Sequence, residues 1–256
     1  MNYDKQNKKL LKLKDRISIL EDEIEILKNL KHEVAKFNDL ILNHSQELVE
    51  LFHKEKESRA YELSNTIQNI SSILSSRIIY SELELNPKGL EKQHKYLATI
   101  YQKFDKARYI FNKKSRKTNN KVEFHGKTKY AISAMSAFDC VPFILIDNAL
   151  KYTPNGMPID VRFQTYDNPT IATKLEVIIE SIGPKISEEE IIHLKEKKYR
   201  AKNALNFPGE GLGLYIADQL CKLHSVELKL SSDKEIITTI NNVEYSKFSV
   251  MLVFRT

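Results

Sequence analysis

Tryptophan is absent from this 256-residue chain, glycine occurs only 7 times and cysteine only 2 times. So little glycine, beside abundant Lys, Glu, Leu and Ile, points away from a turn-rich chain and towards a helix-rich one. Cys140 and Cys221 stand far apart, each flanked by apolar residues. That spacing excludes a metal-ligand or redox motif and leaves two small, reduced core residues of the cytosolic kind. No apolar run approaches the roughly 18 to 20 residues that cross a bilayer. The opening Met1-Asn2-Tyr3-Asp4-Lys5 leads into no apolar signal core, so the expected location is cytoplasmic, with no membrane span. The net charge of +6 comes from lysines spread through the chain, which argues against nucleic acid as a partner. At 41% hydrophobic and 29% charged, the chain can bury a real core, and its length allows one large or two small domains.

A seven-residue repeat runs through residues 8 to 50. Leu13, Leu20, Leu27, Val34, Ile41 and Leu48 fill one seam position. Its companion reads Leu10, Ile17, Ile24, then turns polar at Lys31, Asn38 and Ser45. This spacing predicts a long helix in a coiled coil or antiparallel bundle, whose packing changes near residue 31. A lone helix cannot bury such a seam, so a homodimer is expected. After the charged break His53-Lys54-Glu55-Lys56-Glu57-Ser58, a second helix is marked by Leu63, Ile67, Ile70, Leu74 and Ile78. Asn86-Pro87-Lys88-Gly89 stops it and sets a domain boundary, 1–86 against 87–256. A third helix is predicted over 90–112, with Leu97, Ile100, Phe104, Ala107 and Phe111 on one face. The basic stretch 113–121 reads as a solvated loop before a short strand at Val122-Glu123-Phe124. Beyond it, helical patterns at 133–152 and 211–224 alternate with strands at 158–166, 174–181, 226–231 and 246–254. The fold class expected is α+β: a helical hairpin (dimeric coiled coil or four-helix bundle), then a two-layer α/β sandwich.

Chemistry concentrates in the second part. In Gly209-Glu210-Gly211-Leu212-Gly213-Leu214-Tyr215-Ile216-Ala217, alternate glycines let backbone amides close around phosphate oxygens. The helix that follows aims its partly positive end at the same place. Upstream, Asn148 interrupts an apolar helix, where its amide is costly without a partner. A phosphate-bound Mg2+ ion, which prefers oxygen ligands, would supply one. Lys151 lies on the same helical face. Between them, Glu180-Ser181-Ile182-Gly183-Pro184-Lys185-Ile186 reads as a strand ending in a tight turn that a flat base can approach.

In this order and spacing, the three segments resemble the ATP-binding domain of sensor histidine kinases, a fold shared with DNA gyrase, Hsp90 and MutL. Asn148-Ala149-Leu150-Lys151-Tyr152-Thr153-Pro154 is similar to the family's asparagine box, Gly183 falls on the first glycine of its adenine-contacting box, and Gly209, Gly211 and Gly213 on its last glycine box. Lys198-Tyr199-Arg200 resembles a segment of the mobile ATP lid, and His224 matches a histidine taken as structural. The resemblance implies ATP and Mg2+ as cofactors, with Asn148 holding the metal. It assigns nucleotide contact to Asn148, Lys151, Tyr152, Ser181, Gly183, Ile186, Arg200, Gly209, Gly211, Leu212, Gly213 and Leu214. Three positions depart from the pattern. Ser181 stands where the family usually has aspartate, Lys185 where it has a second glycine, and Ile144 where relatives are polar or acidic. In the ATP-hydrolysing relatives a glutamate at that last position activates water, so Ile144 argues against a gyrase-like ATPase.

A histidine kinase also needs a phosphoacceptor on a dimeric hairpin. Leu30-Lys31-His32-Glu33-Val34 is similar to the family's His-Glu core, although the usual Pro downstream is missing. His32 follows a seam position and is expected to face solvent, with Glu33 beside it as general base. His44 is the second candidate. The resemblance further implies onward transfer to an aspartate of a response-regulator receiver protein. An ATP-binding scaffold that has lost phosphotransfer and a protein serine kinase on the same nucleotide fold stay open as alternatives.

Overall fold

The computed structural model describes residues 2–52, 94–168 and 171–255, with positions 63, 66, 67, 70, 71 and 74 between them. The chain divides into two compact units, 1–93 and 94–256.

The first unit opens with one long helix, α1 (Asn2–Phe52). Along its first half Leu10, Leu13, Ile17, Leu20, Ile24 and Leu27 are each 48 to 57% exposed. Ile26, beside Leu27, is buried, as is Phe37 further on, and Val34 and Ile41 are half-buried. Of the expected second helix, Leu63 and Ile70 are helical and buried, and Ile67 and Leu74 are helical and half-buried. Ile78, the charged break at 53–58 and the stop at 86–89 lie outside the described residues.

The second unit is built on a mixed sheet with strand order β2-β4-β5-β8-β6, and β7 pairs with β8. Its strands are β2 (Val122–His125), β4 (Ile159–Asn168), β5 (Ile171–Pro184), β6 (Glu227–Ser232), β7 (Thr238–Ile240) and β8 (Val243–Arg255). Only β2 and β4 run parallel; the other pairings are antiparallel. A separate two-stranded ladder joins β1 (Lys95–Thr99) to β3 (Ala131–Met135). The helices α2 (Ile100–Ile110), α4 (Cys140–Tyr152) and α6 (Gly213–Leu223) pack together, α4 against β5 and α6 against β6. Alternation explains the core: Leu175, Val177 and Ile179 of β5 are buried, as are Val161 and Phe163 of β4 and Leu252 and Phe254 of β8. Aromatic rings fill the α2 end, with Tyr101, Phe104 and Phe124 all within 6 Å of the Phe163 ring.

Three stretches differ from the sequence reading. Residues 95–99 are a strand, not the start of a helix, because Lys95 to Thr99 pair with Met135 to Ala131. Leu97, expected on the buried face, is 78% exposed. Residues 133–135 belong to that same ladder, and the helix expected over 133–152 begins with a 3-10 turn at Ser136–Asp139. The basic stretch is in part a helix, α3 (Asn112–Thr118), closed by Asn119 in the left-handed conformation. It has no buried residue, so it carries no apolar stripe by which to recognise it.

Just past α3, Asn120 is fully buried. Its Nδ2 donates to the carbonyls of Pro154 (2.8 Å) and Met157 (2.9 Å), which pins the loop that leaves α4. Asn120→Ala strands both acceptors. A loss of about 1–3 kcal/mol is expected in urea denaturation, the cost of acceptors left without a donor.

Candidate functional site

Every residue of α4 is buried except Ile144, Asn148, Lys151 and Tyr152. Steps of four and three place these on one stripe, and the glycine segment meets it there. A Cβ on Gly213, the first residue of α6, would lie 3.3 Å from Asn148 Nδ2 and 3.3 Å from Ile144 Cγ2. Only glycine lets the positive end of α6 approach the Asn148 amide so closely. A Cβ on Gly209 would meet Lys151 Nζ at 2.6 Å. Lys151 also donates to the Tyr152 hydroxyl (3.0 Å).

Gly211 holds a tight turn. Its φ is +75°, and a Cβ there would fall 2.6 Å from the Tyr199 carbonyl oxygen and 2.7 Å from the Lys198 carbonyl carbon. Its own carbonyl accepts from Lys198 N (3.1 Å). Gly211→Ala adds left-handed strain of roughly 1–2 kcal/mol before any overlap with backbone. The turn is expected to open, and trypsin to cut within 195–202 at least about tenfold faster, since 1.4 kcal/mol is a factor of ten.

The segment from Lys185 to Leu212 is held at several points. Ser187 caps the short helix α5 (Glu188–Ile191) through a reciprocal bond with Glu190. The Glu190 carboxylate also accepts from Lys202 N (2.8 Å). Burial alone would raise its pKa, but the amides of Lys202 and Ser187 and the Ser187 hydroxyl outweigh burial and hold it below the usual glutamate range. Asn203 Nδ2 donates to the Lys185 carbonyl (2.9 Å). Arg200 turns its Nη2 onto the carbonyls of Ala204 (2.7 Å), Leu205 (2.9 Å) and Phe207 (2.5 Å). The Phe207 ring meets the Tyr152 ring edge-on at 5.1 Å. The segment is thereby fastened over the C-terminal end of α4.

Among the residues singled out in the sequence, Asn148, Lys151, Tyr152, Gly209 and Gly213 therefore converge. Ser181 is 7% exposed and shares the helix-facing side of β5 with Val177 and Ile179. Gly183 lies two residues on, where a Cβ would lie 3.7 Å from Phe248 Cβ, an ordinary contact, and Ile186 follows just after β5, half-buried. Glu180 points to the opposite face, paired with Arg162 and Lys247. Leu212 and Leu214 flank the start of α6, both half-buried. His32 and Glu33 stand on α1 in the first unit, His32 exposed and Glu33 half-buried. His44 is 5% exposed, with Nδ1 3.7 Å from the Glu47 carboxylate. Sequence reasoning passed over Glu190, Asn203 and Phe207. Only Glu190 had a signal, the Ser187-x-x-Glu190 capping box.

His224 is structural. Its Nδ1–H donates to the Leu220 carbonyl (2.7 Å), and its Nε2 accepts from Met135 N (3.1 Å). Burial pushes its pKa below the usual histidine value, against the opposing pull of the Leu220 carbonyl. Below pH about 6.5 the unfolded chain takes up a proton that the folded one resists, so stability falls with falling pH. His224→Gln is expected to flatten this decline. The difference in slope between the two proteins, read from thermal midpoints between pH 7.5 and 5.5, is bounded at about 1.4 kcal/mol per pH unit by a single proton.

Residues 143–247 match the family model described as histidine kinase-, DNA gyrase B-, and HSP90-like ATPase. The chain is 24% identical over 233 residues to the histidine protein kinase SaeS of Staphylococcus aureus strain USA300. The alignment covers 86% of this chain and 63% of that protein, so the chain spans less than two thirds of such relatives. Among solved structures, it is similar to the mycobacterial sensor histidine kinase MprB: 21% identity, 63% of this chain, 97% of that one and a TM-score of 0.49. It is also similar to the histidine kinase AdeS of Acinetobacter baumannii: 16% identity, 86% of this chain, 96% of that one and a TM-score of 0.42. The family match and the sequence relatives thus make residues 143–247 similar to histidine kinase-, DNA gyrase B-, and HSP90-like ATPase domains, and the chain similar to histidine protein kinases.

Proposed function

We propose that this chain is a cytoplasmic histidine kinase that binds Mg-ATP in the second unit and phosphorylates its own His32. The observation that carries this reading is the meeting of Asn148 with Gly213, beside the meeting of Lys151 with Gly209. An amide, an ammonium and the amino end of a helix converge on one stripe, and together they suit a metal-bound polyphosphate. The residues fit Mg2+, because Asn148 offers a half-buried amide oxygen on the one stripe of α4 that the core leaves uncovered. When bound, the ion draws charge from the phosphoryl oxygens. Lys151 would hold a phosphate, Ser181 and Gly183 would border the base, and about 187–213 would act as the lid.

In the step itself, a ring nitrogen of His32 attacks the γ-phosphorus and the bond to the β–γ bridging oxygen breaks. ADP leaves, and Glu33 takes the ring proton. The phosphoryl group then passes to an aspartate of a response-regulator receiver protein. The helical first part, about 1–86, would supply the phosphoacceptor and 87–256 the catalytic part. The half-exposed seam of α1 supports a homodimer, since a second copy covers it. Free, buried Cys140 and Cys221 agree with a reducing compartment. Among the described residues no helix is long and apolar enough to cross a membrane.

Ile144, apolar and against Gly213, favours a second reading, a nucleotide-binding scaffold without phosphotransfer. Incubation with γ-labelled ATP separates the readings. Acid-labile, base-stable label on the chain is the expected result. Nucleotide binding without label would favour the scaffold, and acid-stable label on an added protein a serine kinase.

A further inference from the structure

The face of the sheet turned away from the helices carries a second cluster of ligand atoms. Glu123 and His125 are two residues apart on β2, so they share a side. Phe124 between them turns inward, to Tyr101 (5.7 Å) and Phe163 (5.4 Å). The parallel register sets Asp160 of β4 directly beside Glu123. One ligand atom from each of Glu123, His125 and Asp160 lies within 4.8 Å of the others, and His125 Nε2 is 2.7 Å from Asp160 Oδ1.

We propose that Glu123, His125 and Asp160 form a binding site for a divalent transition metal such as Zn2+. Two carboxylates set side by side across paired strands repel, and among the described residues no basic side chain pairs with Glu123. Arg162, opposite His125 in the register, is turned to Glu180. An imidazole beside two carboxylates is a nitrogen–oxygen donor set that favours zinc-like ions over Mg2+ or Ca2+. Three protein ligands leave a fourth position for water. The backbone beneath is fixed. β2 is laddered to β4, and Gly126, next to His125, approaches so closely that a Cβ would sit 2.6 Å from the Phe163 carbonyl oxygen. A tetrahedral ion holds its donor atoms roughly 3.3 Å apart, a closing that rotation of exposed side chains supplies without moving a strand. The metal would clamp the edge strand β2 to the sheet. The inference does not depend on nucleotide binding, because the cluster and the Asn148 stripe lie on opposite sides of the sheet.

The test is calorimetric titration of the chelator-stripped full chain with Zn2+ alone, with Co2+ absorption as a second readout. One saturable site per chain is expected, with a higher thermal midpoint when it fills. His125→Ala, and separately Asp160→Asn, should weaken binding at least about tenfold, the least that losing even an outer partner of a metal ligand costs. All three side chains are outside the core, so circular dichroism of the variants should match the parent. Absence of stoichiometric Zn2+ binding would overturn the proposal. So would affinity that survives His125→Ala undiminished, which would put the ion on other histidines or the cysteines.

Discussion

Asn148→Asp is expected to lower the affinity for Mg-ATP at least about a hundredfold, a loss of roughly 3 kcal/mol, and to abolish phosphoryl transfer with the fold intact. The substitution hardly changes shape, so the packing of α4 against α6 survives. What changes is charge. Asn148 Nδ2 lies 3.3 Å from where a Gly213 Cβ would be, facing the amino end of α6. A carboxylate there takes the favourable interaction with that helix end for itself. It then stands against the triphosphate as a like charge in a half-enclosed groove, where such repulsion is poorly screened. Calorimetry of ATP binding with and without Mg2+ reads the effect. Unchanged affinity would remove Asn148 from the site and with it the proposed function, whereas the Zn2+ titration at Glu123, His125 and Asp160 would stand.

What the sequence disclosed and what it hid follow from the range of the interactions. Asn148 in an apolar helix and the run Gly209, Gly211, Gly213 are local signals, and the structure sets them against each other. The strands at 159–168, 171–184, 227–232 and 243–255 show as apolar alternation, because one face of the sheet is buried. β1 stayed hidden because Leu97 and Ile100 happen to stand three apart, and pairing with β3 overrode that helical spacing. α3 stayed hidden because a helix with no buried residue leaves no periodic trace. Asn120 reads as a polar loop residue until the carbonyls of Pro154 and Met157 are placed around it. The fastening of residues 185–212 by Arg200 and Phe207 depends on a fold of the chain back on itself that no short pattern encodes. The Glu123–His125–Asp160 cluster depends on the parallel register of β2 and β4, which two isolated strand patterns leave open.

His32→Gln is expected to erase the acid-labile label altogether, while His44→Gln keeps it. In-line transfer requires an imidazole nitrogen that the γ-phosphoryl group can reach. His32 is exposed on α1, whereas His44 is 5% exposed and sits beside the Glu47 carboxylate. Glutamine keeps the length and polarity of the side chain and the helix around it, but offers no nucleophilic nitrogen. ATP affinity should be unchanged in both variants, since both residues lie in the first unit. Glu33→Gln removes the neighbouring proton acceptor and should slow labelling by about a hundredfold or more without abolishing it, the usual worth of a general base. Label that persisted in His32→Gln but vanished in His44→Gln would mean that α1 must rearrange to release a buried imidazole. The exposed position beside Glu33 makes that rearrangement unnecessary, and a rate of labelling that tracks Glu33 would tie the chemistry to this turn of the helix.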